Sequence, residues 1–478
     1  MKTKSAFIAI FWGLITILIL TGCNGSHRKD SDFIFREDKQ EPQVNLGYYR
    51  SVQDRTGQNP EVALAIAVSG GGYRAANFAA GALCEMEQLN YMGAKHDFLR
   101  EVDYFSTVSG GGFTAGLLLS EEHRHLLEKG ELDGFSFCER LCAEDGIRTN
   151  LMDSMAFEYL KTLGKTGLSL KAYKLITSNR TKFFEQTFED VFLGASGRHH
   201  DKSMLTGDIF VPSGSSARPR LPYWFQNATV FENGAIFPHS PDIYKTYGVA
   251  GYTHRLKKVT IDSDEDYYKV PLAIGMVSSA AYPPVMSPVS MRTGGKDMNN
   301  NFIYLIDGGI SDFLGVITAL RILEQEKART RVLVIIDAGF LDNEPFSKGP
   351  WGPHFLNVGR RVMDISTDSW RTRYKDFAMK YAIGAGMENI RIVSLDFFSL
   401  GSECKDDVKD IIARFNISVD HQDALFRAGS EIVRLKAREL YCSIEPSGAP
   451  CEESAGQDSV NIMQAPTIKD MCAGYMVQ

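Results

Sequence analysis

Apolar runs that end in glycine turns set the organisation of this chain. Val62–Val68 (VALAIAV) is continuously apolar and stops at Ser69-Gly70-Gly71-Gly72, the pattern of a strand buried on both faces that enters a tight turn. Arg74–Leu89 then interleaves small residues (Ala75, Ala76, Ala79, Ala80, Gly81) with Phe78, Leu83 and Met86, which predicts a helix lying close on a sheet. The unit recurs as Val102–Val108 (VDYFSTV), Ser109-Gly110-Gly111-Gly112 and a helical Phe113–Leu119. Two strand–turn–helix units in succession predict an α/β fold with three α/β/α layers. Its mostly parallel central sheet has its working edge at the C-terminal ends of the strands.

Further strands are expected at Tyr223–Phe231, Phe302–Ile306, Val332–Ile336 and Ile390–Ser394. Ile274–Ala281 reads as a helix stopped by Pro283-Pro284. Residues 120–221 read as a mostly helical insertion between sheet strands. Within it Phe183, Phe184, Phe188, Val191 and Phe192 share one helical face, a core-facing stripe rather than a lipid-binding one. The expected division is a signal at 1–22, a polar tether at 23–60, a catalytic domain at 61–342, and a C-terminal part at 343–478 packed on that domain or continuing it.

The N-terminus changes the picture. Lys2 and Lys4 precede the apolar run Ala6–Leu20, which is shorter than the roughly twenty residues a bilayer span needs. It reads as a secretory signal. Leu20-Thr21-Gly22-Cys23 resembles a bacterial lipobox, in which the signal is cut before the cysteine and Cys23 is acylated; the rival is an uncleaved membrane anchor. Both readings put the chain in the bacterial cell envelope, outside the cytoplasm and held at a membrane by its N-terminus. The composition is that of a globular protein, 44% hydrophobic and 23% charged, with a formal net charge of −7. Loss of Lys2 and Lys4 with the signal takes that charge to −9. With no basic tract, nucleic acid is not an expected partner; nothing in the sequence names a protein partner.

Eight cysteines are present, and with Cys23 acylated the remaining seven leave at least one outside an internal pair. Cys442 and Cys451 bracket a Pro-Ser-Gly turn, as a disulfide in an oxidising compartment would. Cys138 and Cys142, one helical turn apart, lack the partners of a four-ligand metal site and read as a half-buried helix face.

The glycine turns carry the candidate chemistry. Ser109 stands where a strained strand-to-helix turn exposes a nucleophile, in Thr107-Val108-Ser109-Gly110-Gly111 rather than the full G-x-S-x-G. Standing alone, such a serine would be read rather as a helix cap. Gly70, Gly71 and Gly72 end the preceding strand at a helix start, whose outward N–H groups suit an oxyanion. Arg74 is placed to support that loop or hold a substrate phosphate. Phe302–Gly309 (FIYLIDGG) delivers Asp307 into a third glycine turn, where burial would raise its pKa toward that of a general base. Gly70–Ala75 also satisfies the dinucleotide pattern, but Tyr91-Met92-Gly93 stands where a ribose-binding acid belongs. Gly164-Lys165-Thr166 lacks the first glycine of a phosphate loop, and His199-His200-Asp201 reads as a solvated loop.

SGGGYRA (Ser69–Ala75), the serine of TVSGGG (Thr107–Gly112) and the DGG of IDGGISDFLG (Ile306–Gly315) occur in the order found in patatin-like acyl hydrolases and the related cytosolic phospholipases. FQNAT (Phe225–Thr229) and SSAAYPPVMSP (Ser278–Pro288) also resemble what these proteins carry between serine and aspartate. The resemblance spans roughly Val62 to Ile336 and implies a patatin-like fold. It further implies a Ser109–Asp307 dyad, an oxyanion hole at Gly70–Gly72, and an arginine at 74 tied to catalysis in the cytosolic relatives. Thr107 departs from the patatin glycine. Asp337, which ends VLVIID, is the rival acid; Asp312 reads as a helix cap, and Ser69 and Ser106 are the rival hydroxyls. No histidine can be placed beside Ser109 from the sequence. The expected function is a membrane-anchored serine hydrolase of phospholipid or lysophospholipid esters that requires no metal or organic cofactor. A thioesterase or generic esterase on the same machinery, and a non-catalytic lipid-binding lipoprotein, are the alternatives.

Overall fold

Seven apolar residues, Val62–Val68, form strand β1, buried along its whole length. This computed structural model describes residues 59–91, 94–142, 184–185, 188–193, 204–212, 221–254, 257–283, 286–294, 301–339, 373–387, 389–400, 407–408, 411, 417–445 and 451, all in the unit Val44–Gln478. A small hairpin, β2 (Leu89–Tyr91) and β3 (Ala94–His96), leads to β4 (Val102–Val108). Then follow β5 (Tyr223–Val230), β6 (Ile236–His239), β7 (Val249–His254), β8 (Lys257–Thr260) and β9 (Val289–Thr293). The last strands are β10 (Asn301–Asp307), β11 (Thr330–Asp337) and β12 (Ile390–Asp396).

The main sheet runs β12-β11-β1-β4-β5-β10-β9-β7-β8, with β6 also paired to β5. The first five strands of that order are mutually parallel and the remainder antiparallel. The parallel half is as expected from its apolar runs. The antiparallel half adds β6 to β9, short strands that gave no clear alternation; β8 (KKVT) is almost wholly exposed.

Register explains how this mixed sheet builds one edge. Val108, the end of β4, is level with Asn227 in β5, so β5 runs on beyond β4. Strand β10 pairs antiparallel with that overhang, placing its last residue, Asp307, opposite Ala228. The acid therefore arrives from beyond the edge, by a strand running back toward it, and stops about level with Ser109.

Five helices frame the edge: α1 (Gly72–Glu87), α2 (Gly111–Lys129), α3 (Leu272–Ser279), α4 (Val316–Gln325) and α5 (Val419–Leu435). Helix α1 is nearly all buried, and its small residues let α5 come close: a Cβ on Gly81 would lie 2.0 Å from the Phe426 carbonyl oxygen. Helix α2 outlasts the expected Phe113–Leu119 and ends at Gly130, whose φ of 87° is the usual left-handed stop. The elements described between 120 and 221 are helical. Phe184, Phe188 and Phe192 are buried, the last two packing on Phe113 with ring centroids 5.0 and 4.7 Å away, which is the core reading of that stripe. Phe183 and the Val191 side chain lie outside the described residues, as do Cys23, Gly164-Lys165-Thr166 and His199-His200-Asp201.

Cys442 and Cys451 form the expected disulfide. Cys138 and Cys142 correct the expectation of a plain helix face. Cys138 bonds Cys84 of α1, Cys142 is disulfide-bonded too, and both are buried. Spacing along one helix does not reveal a partner 54 residues away. Among the described residues no helix is long and apolar enough to cross a membrane.

Candidate active site

Ser109 follows β4 directly and has a φ of 50°, the one non-glycine residue in the left-handed region among the described residues. Such a conformation costs about 1–3 kcal/mol and persists only where its surroundings enforce it. Three contacts do so here. The Ser109 N–H donates to Ser279 Oγ at 2.9 Å, the Gly112 N–H donates to the Ser109 carbonyl at 3.0 Å, and the Phe113 N–H donates to the Gly110 carbonyl at 3.1 Å. Thr107 takes no part in the turn. Its hydroxyl accepts the Trp224 indole N–H at 2.9 Å on the sheet face under Gly112, so this departure from glycine is absorbed by packing.

The loop after β1 lies against this turn. A Cβ on Gly110 would stand 2.0 Å from the Gly72 carbonyl oxygen, so only glycine lets the two segments approach this closely. The three loop glycines are not equivalent donors. The Gly70 N–H donates to the Phe313 carbonyl at 2.9 Å and is already committed, which narrows the expected Gly70–Gly72 set. Gly71 and Gly72, at φ 137° and 57°, begin α1 and are half-exposed, and their N–H groups belong to the helix start that has no intrahelical acceptor. Phe313 fastens the arrangement, with its ring 3.1 Å from the Cβ position of Gly70 and 3.2 Å from that of Gly309. Arg74 is buried, and its Nη1 donates to the Ile411 carbonyl at 3.2 Å while Nη2 comes within 3.6 Å of the Cβ position of Gly71. Its guanidinium thus lies beside the glycine loop.

Asp307 is buried and held at three points. Its Oδ1 accepts the Gly309 N–H at 2.8 Å, its own N–H donates to the Ala281 carbonyl at 3.1 Å, and its carbonyl accepts the Thr229 hydroxyl at 2.9 Å. Burial pushes the carboxyl up to about 6, against the opposing pull of hydrogen bonds from the Gly309 N–H and the Ser109 hydroxyl. The fold thus brings Ser109 and Asp307 together beside the Gly71–Gly72 amides.

The rivals have other partners. Asp337 ends β11, on the far side of β1, and accepts the Gly339 N–H at 2.8 Å. Asp312 accepts the Ile317 N–H at 2.8 Å, as a cap of α4. The Ser69 hydroxyl accepts the Ala338 N–H at 2.9 Å, and the Ser106 hydroxyl donates to the Gly315 carbonyl at 2.6 Å. Among the described residues no histidine hydrogen-bonds Ser109. His239 is fully buried instead, sharing hydrogen bonds with Ser278 Oγ at 2.5 Å and the Tyr244 hydroxyl at 3.0 Å.

Sequence reasoning missed Ser279 and the work of Asn227, whose amide donates to Ser106 Oγ at 3.0 Å and to the Thr107 carbonyl at 3.1 Å. Both lie in the FQNAT and SSAAYPPVMSP segments, so the signal was present without a role attached.

Three comparisons bear on the chain. Among curated protein sequences no significant relative was found. Among solved structures it is similar to human GIVD cytosolic phospholipase A2, with 11% identity and a TM-score of 0.37, covering 84% of this chain and 66% of that one. The same human protein in complex with methyl gamma-linolenyl fluorophosphonate gives 11% identity and 0.37, with 84% and 63% covered. The chain therefore spans less than two thirds of those chains. A family model described as patatin-like phospholipase matches residues 66–320, from within β1 to within α4, and so takes in Ser109, Asp307 and the loop glycines. That match covers more than half of the sequence, and the chain belongs to the patatin-like phospholipase family of lipid acyl hydrolases.

Proposed function

We propose that this protein is a serine hydrolase of (lyso)phospholipid carboxylic esters that works through a Ser109–Asp307 dyad. The observation that carries the reading is the meeting of a serine in strained backbone with a buried carboxyl poised near 6. Asp307 accepts the Ser109 proton as Oγ attacks the ester carbonyl carbon. The Gly71 and Gly72 N–H groups donate to the developing oxyanion; losing one such donor typically costs about 3–4 kcal/mol of barrier. Collapse expels the alcohol, which takes the proton back from Asp307. Water then attacks the acyl-serine with Asp307 as base, releasing the fatty acid and restoring the serine.

The anchor belongs to the same proposal. Cys23, acylated after removal of residues 1–22, holds the enzyme at a membrane of the bacterial envelope, outside the cytoplasm. The Cys84–Cys138 and Cys442–Cys451 disulfides support an oxidising compartment. Mass analysis of the mature N-terminus tests this part, and an intact Met1 rules it out.

A fluorophosphonate probe followed by peptide mapping tests the chemistry. Labelling is expected on Ser109, with Ser109→Ala abolishing both labelling and hydrolysis of a lysophospholipid while the protein stays folded. Undiminished hydrolysis by that variant removes the proposal. Labelling of Ser109 with turnover of thioesters but not oxygen esters would favour a thioesterase on the same residues.

A further inference from the structure

Ser109 and Asp307 come from strands that never touch, since β5 lies between β4 and β10. Their separation therefore depends on something that reaches both turns. Besides β5 itself, one short segment among the described residues does. Ser279, the last residue of α3, is buried, and its Oγ accepts the Ser109 N–H at 2.9 Å. Two residues on, the Ala281 carbonyl accepts the Asp307 N–H at 3.1 Å. We propose that Ser279 is a positioning residue for the reaction. Its hydroxyl holds the nucleophile's backbone in the left-handed turn while the same stretch of chain pins the acid, so that 279–281 sets the spacing of the dyad. This inference rests on the Ser109–Asp307 reading.

The physical case lies in which atom is held. A left-handed serine relaxes by rotating the peptide that carries its N–H, and that N–H is the group Ser279 captures. Removal of the Ser279 oxygen leaves a buried N–H without its acceptor and frees the rotation that moves Ser109 Oγ relative to the carboxylate. Reacting groups displaced by about 1 Å can lose about a hundredfold in rate. The adjacent Ser278 supplies the contrast. It is equally buried, but its hydroxyl pairs with His239 Nε2 at 2.5 Å and donates to the Gly275 carbonyl at 3.0 Å, with no bond to either catalytic turn. Ser278 fastens α3; Ser279 fastens the site.

The test uses the full chain as wild type, Ser279→Ala, Ser279→Thr and Ser278→Ala. Melting temperature, the rate of fluorophosphonate labelling at Ser109, and kcat and KM for a soluble short-chain ester are measured across pH. Ser279→Ala is expected to lower the labelling rate and kcat roughly tenfold to a hundredfold with KM unchanged. It should also move the acidic limb of the pH profile upward, because a displaced Ser109 no longer opposes the effect of burial on Asp307. Ser279→Thr, which keeps the hydroxyl, recovers most of the rate. Ser278→Ala lowers the melting temperature but leaves the limb where it was. Wild-type labelling by Ser279→Ala with an unmoved limb would overturn the proposal, and so would a limb displaced equally by both alanine variants. If Ser109 of the wild type neither labels nor supports hydrolysis, the functional reading itself has failed and takes this inference with it.

Discussion

In the proposed mechanism Asp307 serves as a base at neutral pH, and a buried carboxylate in that role has to be uncomfortable in its ionised form. Its pKa rises from 3.8 to about 6 because burial disfavours the charged form more than the Gly309 and Ser109 hydrogen bonds favour it. The folded state therefore binds a proton more tightly than the unfolded chain does. The stability this represents is fully present below about pH 4 and is lost as pH rises through about 6, after which ionised Asp307 costs about 3 kcal/mol. Asp307→Asn should abolish hydrolysis yet raise the melting temperature at pH 7.5, with the gain vanishing near pH 4; thermal melts of both proteins at the two pH values check it. In the wild type, kcat/KM should fall as pH drops through about 6, as Asp307 takes up its proton. A pH–rate profile flat from pH 5 to 8 would remove Asp307 as the base.

Elements matter here through how closely their ends approach. The start of α2 meets the start of α1 with the Cβ position of Gly110 only 2.0 Å from the Gly72 oxygen and that of Gly111 2.5 Å from the Ser69 oxygen. Backbone, not a flexible side chain, stands in the way, so Gly110→Ala has to separate the Ser109 turn from the Gly70–Gly72 loop. Overpacking of this kind typically costs about 1–3 kcal/mol. The expected outcome is a lower melting temperature together with a larger loss of fluorophosphonate labelling than the stability change explains. Labelling at the wild-type rate would mean the two loops need not touch. The α1–α5 crossing uses the same device, since a Cβ on Gly429 would lie 2.1 Å from the Phe78 carbonyl oxygen; Arg434 of α5 adds a two-pronged ion pair to Glu85, at 2.7 and 3.0 Å.

At the scale of the molecule, the region matched by the family model does not complete its own sheet. Strand β11 pairs with β1 along seven residues and β12 extends the parallel half, yet both lie beyond residue 320, as does α5. A chain ended at residue 342 would lose β12 and α5 and expose the face of α1 that carries Gly81. It should be recovered only as aggregate, and a soluble, cooperatively melting fragment would contradict this. The Cys84–Cys138 disulfide ties α1 to the segment after α2 across 54 residues. Loops of that length correspond to about 2–5 kcal/mol of stabilisation. Cys84→Ser with Cys138→Ser should lower stability by that order in a denaturant titration and leave the pH limb near 6 in place.

What could be read along the chain and what could not divide on a physical line. Continuous apolar runs and glycine turns are local properties, so β1, β4, β5, β10 to β12, α1 and α3 were legible within a few residues, and so were the three turns that bear Ser109, Gly71–Gly72 and Asp307. Of α2 only the first turns were legible, and α4 only as the helix after Asp312. Short, half-exposed strands such as β7 to β9 carry too little alternation to announce themselves. Register is not local at all. That β5 overhangs β4, so that an antiparallel strand can return Asp307 to the level of Ser109, depends on pairing between segments about 120 residues apart (β4 with β5) and about eighty apart (β5 with β10). The same is true of the commitment of the Gly70 N–H to Phe313, the capture of Ser109 by Ser279, and the partner of Cys84. By itself the amino-acid sequence determined which groups were available for chemistry; only the tertiary structure decided which of them meet, because hydrogen bonds between distant segments are chosen by packing and not by the order of residues.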